Sequence, residues 1–121
     1  MRVKLFFDGG ARPNPGAIEA AVVLRGTAHL FEDLGLGDNR DAEWLALIEA
    51  VKLARTLDEE ATLIGDAAEV IAQGNAVLRG ARPMHAHALR FQALATPGLR
   101  LRWIRRAQNL AGIALAARHP R

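Results

Sequence analysis

Two short, largely apolar runs that each end in aspartate are the feature that most constrains how this chain can fold. Residues 3–8 (VKLFFD) and 61–66 (ATLIGD) are both typical of buried strands. We expect helical crossovers to connect these buried strands. Strands joined by such crossovers run parallel to one another. Parallel strands bring their carboxyl ends to one edge of a sheet, where open α/β sheets build their sites. The sequence therefore predicts that Asp8 and Asp66 lie close together at that edge.

The remaining segments complete a mixed sheet flanked by helices. Residues 9–16 are rich in glycine, proline and asparagine, which predicts a turn. The further predicted elements are strands over residues 17–25, 28–36 and 99–106, and helices over residues 38–57, 67–78, 84–95 and 108–118. We therefore expect one α/β domain over residues 1–121 with a five-stranded mixed sheet. Strands 1–3 form an antiparallel meander, and strands 1, 4 and 5 are parallel.

The first predicted helix carries a carboxylate on its apolar side. Asp38 and Asn39 offer an N-cap at its start. Its interior stripe is formed by Glu43, Leu47, Ala50, Val51 and Ala54. A buried carboxylate without a partner is costly, so Glu43 needs a metal ion or a hydrogen bond. Near the start of a helix that packs on the sheet, Glu43 can reach the edge that holds the two aspartates.

Three carboxylates, Asp8, Glu43 and Asp66, are thus predicted to converge. They repel one another unless a cation neutralises them, and hard oxygen ligands favour Mg²⁺, with Mn²⁺ as a substitute. Two such ions can clamp the attacking and leaving oxygens of a phosphodiester. The alternative is that each acid is a solvated surface charge or a helix cap, and Asp66 would suit the N-cap of the next helix. The flanking motifs favour the metal site.

Charge is distributed unevenly along the chain. Residues 1–69 hold 7 lysines and arginines against 13 acids, whereas residues 70–121 hold 9 arginines and no acid. Because arginine binds phosphate through a bidentate fork, this half favours an anionic partner over a merely solvated basic face. No apolar run approaches the roughly 18 residues of a membrane span, and there is no cysteine for disulfides or thiolate metal sites. We expect a cytoplasmic, monomeric protein that does not associate with membranes.

Four motifs, in the same order along the chain, resemble those of type 1 ribonucleases H. They are residues 7–10 (FDGG) with 14–16 (NPG), residues 39–48 (NRDAEWLALI), residues 63–66 (LIGD) with Gln73, and residues 103–106 (WIRR) with Asn109 and 115–116 (LA). The first resembles that family's opening hairpin, and the second its Asn-x-x-Ala-Glu-x-x-Ala-Leu pattern. The third resembles its third acidic motif, and the last the closing segment of its short, archaeal-like branch. The resemblance implies a ribonuclease H-like fold.

The resemblance also implies an enzyme that cuts the RNA strand of an RNA–DNA hybrid with two Mg²⁺ ions. Asp8 would bridge both metals, and Glu43 and Asp66 would hold one of them. Asparagines of the first two motifs would contact the hybrid backbone or the minor groove, where 2′-hydroxyls are read. Glycines of the first motif would let the backbone approach the RNA closely. The residues expected to contact nucleic acid are Gly9, Gly10, Asn14, Asn39, Arg40, Arg100, Arg102 and Arg106.

The closing motif departs from the pattern of this family. Its closing motif reads Asn-x-x-Ala-Asp-x-Leu-Ala, and here Ile113 stands where the fourth metal-ligating aspartate belongs. No acid follows Glu69, so no shift of the alignment supplies one. Three functions stay open: an endonuclease, with full or reduced activity; a catalytically impaired module that binds RNA–DNA hybrid or duplex nucleic acid; and an interaction domain without nucleic acid. The last helix is predicted to pack on the sheet through Leu110, Ile113, Ala114 and Ala117.

The aromatic and histidine residues carry weaker signals. Trp44 and Trp103 are predicted as core residues rather than as platforms for base stacking. His85 and His87 alternate within a helical pattern and so point to different faces, which disfavours a shared metal ion.

Overall fold

The computed structural model describes residues 2–119. The strands are β1 (Arg2–Arg12), β2 (Gly16–Leu24), β3 (Thr27–Phe31), β4 (Leu36–Gly37), β5 (Glu60–Gly65) and β6 (Arg100–Trp103). The helices are α1 (Asn39–Ala54), α2 (Ala68–Leu78), α3 (Ala86–Leu94) and α4 (Leu110–Ala117), and a 3-10 helix spans Arg106–Gln108. Within residues 2–119, none of these helices has the length and apolar character that a membrane crossing requires.

The strand β1 lies at the centre of a mixed sheet. The spatial order is β3-β2-β1-β5-β6, and the two-residue β4 pairs with β2 beside β3. β2 pairs antiparallel with both β1 and β3, whereas β1 with β5 and β5 with β6 are parallel. The predicted meander and the predicted parallel strands are confirmed, and β4 is an addition to the five strands expected.

The turn predicted over residues 9–16 is wrong in its extent. β1 continues through this segment, with Gly9 opposite Ala20 and Gly10 opposite Glu19, so the turn occupies only residues 13–15. Glycine has low strand propensity, but pairing with a neighbouring strand outweighs that preference. As a consequence, Asp8 lies within a paired strand and not at the end of one.

The helices α1, α2 and α3 cover one face of the sheet. The main core lies under them, and its largest side chains are Leu5, Phe7, Trp44, Leu63 and Phe91. The apolar residues predicted for the interior stripe of α1 are buried, which confirms that prediction; they are Leu47, Ala50, Val51 and Ala54. Trp44 is a core residue as expected.

The helix α4 covers part of the opposite face, but with a different side from the one predicted. Ala111 and Leu115 are buried against β2, whereas Ile113 is 56% exposed. Leu110 and Ala117 are exposed as well. The predicted stripe is therefore wrong for these three residues. The buried side chain of Asn109 caps the helix and so sets the rotation of its first turn.

The last strand is shorter than the predicted residues 99–106. β6 ends at Trp103, and the 3-10 helix begins at Arg106. Leu101 belongs to the core under α2, and alternation along the strand therefore turns Arg100 and Arg102 toward the other face. The prediction that Trp103 is a core residue is wrong, because its side chain is 50% exposed at this edge.

Candidate metal centre and nucleic-acid cleft

The three predicted carboxylates converge at one edge of the sheet. Asp8 lies in β1 opposite Ala21, Glu43 lies at the second turn of α1, and Asp66 directly follows β5. One ligand oxygen from each lies within 4.8 Å of the other two. Two parallel strands and a helix packed on them thus bring the acids together, as their order along the chain predicts.

Glycine at position 9 allows α1 to come this close to β1. A Cβ atom at Gly9 would lie 2.1 Å from the carbonyl oxygen of Ala42, the residue that precedes Glu43. Two atoms cannot approach to that distance without a bond, so a side chain here would force the helix away. The missing side chain is therefore what lets Glu43 reach Asp8.

Two asparagines tie the start of α1 to the β1–β2 hairpin. Asn39 Oδ1 accepts a hydrogen bond from the backbone N–H of Ala11 at 3.0 Å. Asn14 Oδ1 accepts one from the backbone N–H of Asn39 at 3.1 Å. Asp38 and Asp41 form a capping box at the same helix end. Both asparagines thus have a structural task, which fixes α1 relative to the strand that carries Asp8.

The third carboxylate is held by the fully buried side chain of Asn109. Its Nδ2 donates to Asp66 Oδ2 at 2.9 Å and to the backbone carbonyl of Phe7 at 3.0 Å. Its Oδ1 accepts from the backbone N–H of Ala111 and so caps α4. One side chain therefore joins β1, Asp66 and α4, a role that the sequence motif alone did not reveal.

Burial makes the carboxyl groups of Asp8 and Glu43 hard to ionise. Loss of solvent raises the pKa of Glu43 to about 10, and the charge of Asp8 adds to that rise. Burial also raises the pKa of Asp8. The hydrogen bond with Glu43 opposes this rise, the charge of Asp66 adds to it, and the Arg106 guanidinium opposes it more weakly. Glu43 Oε2 is buried with no hydrogen-bond partner in the described part of the chain. Without a cation, Glu43 therefore keeps its proton at neutral pH.

A divalent cation fits this set of donors. Three carboxylates offer hard oxygen ligands, and the unpartnered Oε2 of Glu43 is a ligand atom that nothing else satisfies. Acids this close need either a shared proton or a cation between them. Within residues 2–119, Asp8, Glu43 and Asp66 are the one group of three potential ligands that lie close enough together to share a metal ion.

The carboxylates open onto a cleft of about 350 Å³. Of the predicted nucleic-acid contacts, Gly9, Gly10, Asn39 and Arg106 line it. The cleft wall is mostly polar and glycine-rich, so backbone groups of the protein are accessible from it.

Other predicted contacts lie outside the lining of this cleft. Asn14 sits in the hairpin turn, and Arg40 pairs with Glu69 at 3.0 Å on the exposed surface. Arg100 and Arg102 are exposed on β6, on the α4 side of the sheet. Their roles in binding stay predictions.

The helix α4 brings a glycine, and not Ile113, next to Asp8. A Cβ atom at Gly112 would lie 3.5 Å from Asp8 Oδ2, and Gly112 lines the cleft. Ile113 is absent from that lining and points largely into solvent. Position 113 of α4 therefore contributes neither a carboxylate nor an apolar surface to the cleft.

Two groups beside the site were not predicted from the sequence. Glu19 lines the cleft and faces three bases, with Arg12 at 3.4 Å, Arg118 at 3.8 Å and His119 at 2.5 Å. Trp103 Nε1 donates to the backbone carbonyl of Asp66 at 3.1 Å. The β1–β2 register places Glu19 beside the cleft, and this register cannot be derived from the sequence until the length of the turn is known.

The two neighbouring histidines act separately. His85 caps α3 by accepting from the backbone N–H of Ala88, whereas His87 contacts Asp41 at 2.9 Å. A backbone hydrogen bond at Asp38 and the contact with His87 lower the pKa of Asp41. Within residues 2–119, neither histidine belongs to a group that could hold a metal.

Fold and site together define the class of protein. A central strand flanked by an antiparallel meander on one side and two parallel strands on the other, with clustered acids at the sheet edge, is the ribonuclease H-like arrangement.

Solved structures agree with this class. Ribonuclease H1 of the halophilic archaeon Halobacterium salinarum matches with a TM-score of 0.78 and 24% identity, over 95% of this chain and 94% of that one. The N-terminal ribonuclease H domain of a Mycobacterium tuberculosis protein matches with a TM-score of 0.72 and 26% identity, over 95% of both chains. LC11 ribonuclease H1, isolated from compost, matches with a TM-score of 0.73 and 25% identity, over 94% of this chain and 91% of that one.

LC11 ribonuclease H1 has also been solved in complex with an RNA/DNA hybrid, and that structure matches with a TM-score of 0.68 at 23% identity. No family model and no curated protein matches the chain. The predicted resemblance is confirmed: the chain has the fold of type 1 ribonucleases H over nearly its whole length.

Proposed function

We propose that this protein is a metal-dependent endonuclease that cleaves the RNA strand of RNA–DNA hybrids. The observation that carries the proposal is the cluster of Asp8, Glu43 and Asp66, whose ligand oxygens lie within 4.8 Å of one another in an open cleft. The structural likeness to ribonucleases H1, one of them bound to an RNA/DNA hybrid, supports this substrate.

Asp8, Glu43 and Asp66 would hold the cation, Mg²⁺ or, as a substitute, Mn²⁺. When bound, the metal stabilises charge on a phosphodiester and acidifies a water molecule. Glu43 must lose its proton before it can bind the cation. Burial and the charge of Asp8 raise the pKa of Glu43 to about 10, so it holds this proton at neutral pH. Cation binding therefore strengthens as pH rises. Asn109 keeps Asp66 in place from the side that faces β1.

The cleft wall positions the nucleic acid. Gly10 lets a sugar–phosphate backbone approach β1, because no side chain stands between it and the cleft, and Gly9 lines the same wall with its backbone. Asn14, in the β1–β2 turn, and Asn39, at the start of α1, offer polar groups near the hairpin. Arg106, close enough to Asp8 to lower the pKa of that carboxyl, offers a cation to a phosphate, and Arg40 offers another farther out.

The activity is expected to be lower than that of a site with four carboxylates. Position 113 holds isoleucine where the family motif has an aspartate, so one anionic ligand is absent from the α4 side. With three acids we expect one divalent ion to bind firmly in the free protein. A second ion would be held only where the phosphate of the substrate supplies further oxygen ligands.

A second candidate function is a catalytically impaired module that binds RNA–DNA hybrid or other duplex nucleic acid. The observation that favours it is the same bare α4 side, where Gly112 faces Asp8 and Ile113 faces solvent. Such a module would keep the acids for structure or for binding a single cation.

The test is cleavage of an end-labelled hybrid with Mg²⁺ or Mn²⁺ by this protein and by its Asp8→Asn variant. The proposed enzyme cuts the RNA strand, the variant does not, and both bind the hybrid. Single-stranded RNA and single-stranded DNA of the same sequences serve as control substrates. Binding without cleavage by the parent would favour the module, and neither binding nor cleavage would refute both functions.

A further inference from the structure

Three exposed cations lie on the α4 side of the sheet, apart from the cleft. α4 packs over β1, β2 and β3, and the side chains of Lys4, Arg100 and Arg102 remain exposed beside it. Their strand neighbours Leu5 and Leu101 point into the core under α1–α3, so alternation turns the three cations to the other face. We call these three residues the basic strip.

The strip is continuous across the sheet. Lys4 of β1 pairs in register with Thr62 of β5, and Thr62 pairs with Arg100 of β6. Two strand spacings separate Lys4 from Arg100, a distance of about 10 Å between backbones, and long side chains bridge such a gap. Arg102 lies two residues further along β6 on the same face.

The residues of the strip have no acidic salt-bridge partner in the described part of the chain. Nearby, Arg2 pairs with Glu60 and Arg25 pairs with Glu59. Within residues 2–119, none of the three strip residues takes part in a salt bridge. Their guanidinium and ammonium groups are therefore available to an anion from outside.

The strip begins next to the metal centre. Arg102 is opposite Ile64, two residues before Asp66, and Lys4 lies four residues before Asp8. At a rise of about 3.3 Å per residue, the strip extends from about 7 Å to about 13 Å away from the carboxylates along the strands. Successive phosphates of one strand are spaced about 3.4 Å along a duplex axis, so the strip lies about two to four nucleotides from the cleft.

We propose that Lys4, Arg100 and Arg102 form a second contact surface, which binds the phosphate backbone of the nucleic acid where it leaves the cleft. The inference rests on the proposed function, since that function supplies the nucleic acid. The three cations lie about 7 to 10 Å apart, so together they can contact phosphates about two to three nucleotides apart, and arginine offers each phosphate a bidentate fork. The contact reads no sequence, because it involves phosphates and not base edges.

The test uses two RNA–DNA hybrids and protein carrying Asp8→Asn to prevent cleavage. One hybrid is only long enough for the cleft, and the other is longer by one helical turn, about 10 base pairs. The strip variant is Lys4→Gln, Arg100→Gln and Arg102→Gln combined. The matched control is Arg25→Gln, Lys52→Gln and Arg55→Gln combined, which removes the same charge from side chains that already hold partners.

The expected result is a gain in affinity of at least about tenfold from the longer hybrid, which the strip variant loses and the control keeps. The slope of log affinity against log salt should fall by about 2 to 3 in the strip variant, since each lost phosphate contact removes about 0.9. Affinity for the short hybrid should stay the same in both. All six positions are exposed or partly exposed, and thermal melts check that both variants fold.

Tight binding of the short hybrid with no gain from length would overturn the strip and leave the proposed function standing. An equal loss in the control would also overturn it, because general net charge would then explain the effect. Binding of neither hybrid would overturn the proposed function and the strip together. Strip-dependent binding to vesicles of phosphatidylserine, without a gain from the longer hybrid, would assign these cations to a membrane surface instead.

Discussion

The two helices that meet at Asp8 contribute opposite things to the site. α1 lies so close to β1 that only glycine fits at position 9, and it carries Glu43 into a buried place beside Asp8. α4 approaches the same aspartate from the other side, but brings the bare backbone of Gly112 and no acid. α4 therefore lies beside the metal centre without contributing an acidic ligand to it. The carboxylate cluster is one-sided.

The two helices also differ in what holds them. α1 has 16 residues, a capping box and the hydrogen bonds of Asn14 and Asn39 to the hairpin. α4 has 8 residues, fewer than the roughly 12 to 15 that an isolated helix needs, and depends on packing and on the cap from Asn109. The contact between α1 and β1 should tolerate no added side-chain atoms, whereas exposed positions of α4 should accept new side chains.

Gly9→Ala should have the largest effect. The added methyl group would meet the carbonyl oxygen of Ala42 at 2.1 Å, and backbone cannot move aside as a flexible side chain does. We expect a loss of about 3 kcal/mol or more of unfolding free energy and loss of hybrid cleavage. Gly10→Ala is the matched control, because its nearest neighbour is a Leu115 methyl at 3.9 Å. Similar chemical-denaturation curves for the two variants would contradict the tight α1 contact.

Asn109→Ala should come next. It removes the cap of α4 and leaves the carbonyl of Phe7 and one oxygen of Asp66 without their donor, which should cost about 2 to 3 kcal/mol. We also expect weaker Mg²⁺ binding in calorimetry, since Asp66 loses its orientation. Gln108→Ala, at an exposed neighbouring position, should change neither quantity. Unaltered Mg²⁺ affinity in a folded Asn109→Ala protein would show that Asp66 does not need this support.

Glu43 should make the stability of the metal-free protein depend on pH. Its pKa is raised by burial from 4.5 to about 10, so between those values the folded state binds more protons than the unfolded state. Unfolding free energy should therefore fall as pH rises through this window. Glu43→Gln should flatten the fall, and Mg²⁺ should stabilise the parent most at high pH. Urea unfolding with a chelator between about pH 5 and pH 9 measures this, and parallel curves for the two proteins would count against the buried acid.

Ile113→Asp should have the smallest effect on stability. The side chain is 56% exposed, so we expect a change within about 0.5 kcal/mol. If the family position retains its role, the new carboxylate should raise Mg²⁺-dependent hybrid cleavage above the parent. Gly112→Asp is the comparison, because a Cβ there already lies 3.5 Å from Asp8 Oδ2 and its carboxylate should crowd the site. A gain from Gly112→Asp and none from Ile113→Asp would show that the helix presents position 112 as the ligand position.

Much of the fold and the core of the site could be predicted from local patterns. The two apolar runs that end in Asp8 and Asp66, and the stripe that carries Glu43, each record which side of one element is buried. Helical connections between such elements then leave few arrangements, and the parallel strands and the converging acids follow. The family motifs predicted the same fold from residue identities alone.

Other features depended on contacts between segments remote in sequence. Pairing with β2 draws Gly9 and Gly10 into β1, although their local preference is for a turn. The burial of Asn109 rotates α4, which exposes Ile113 and turns Gly112 toward Asp8. Periodicity along one element reports burial, but it contains no information on register or on the rotation of a short helix. Register and helix rotation are decided when the elements pack. For this reason the sequence determined which acids meet, while the tertiary structure decided which residue of α4 faces them.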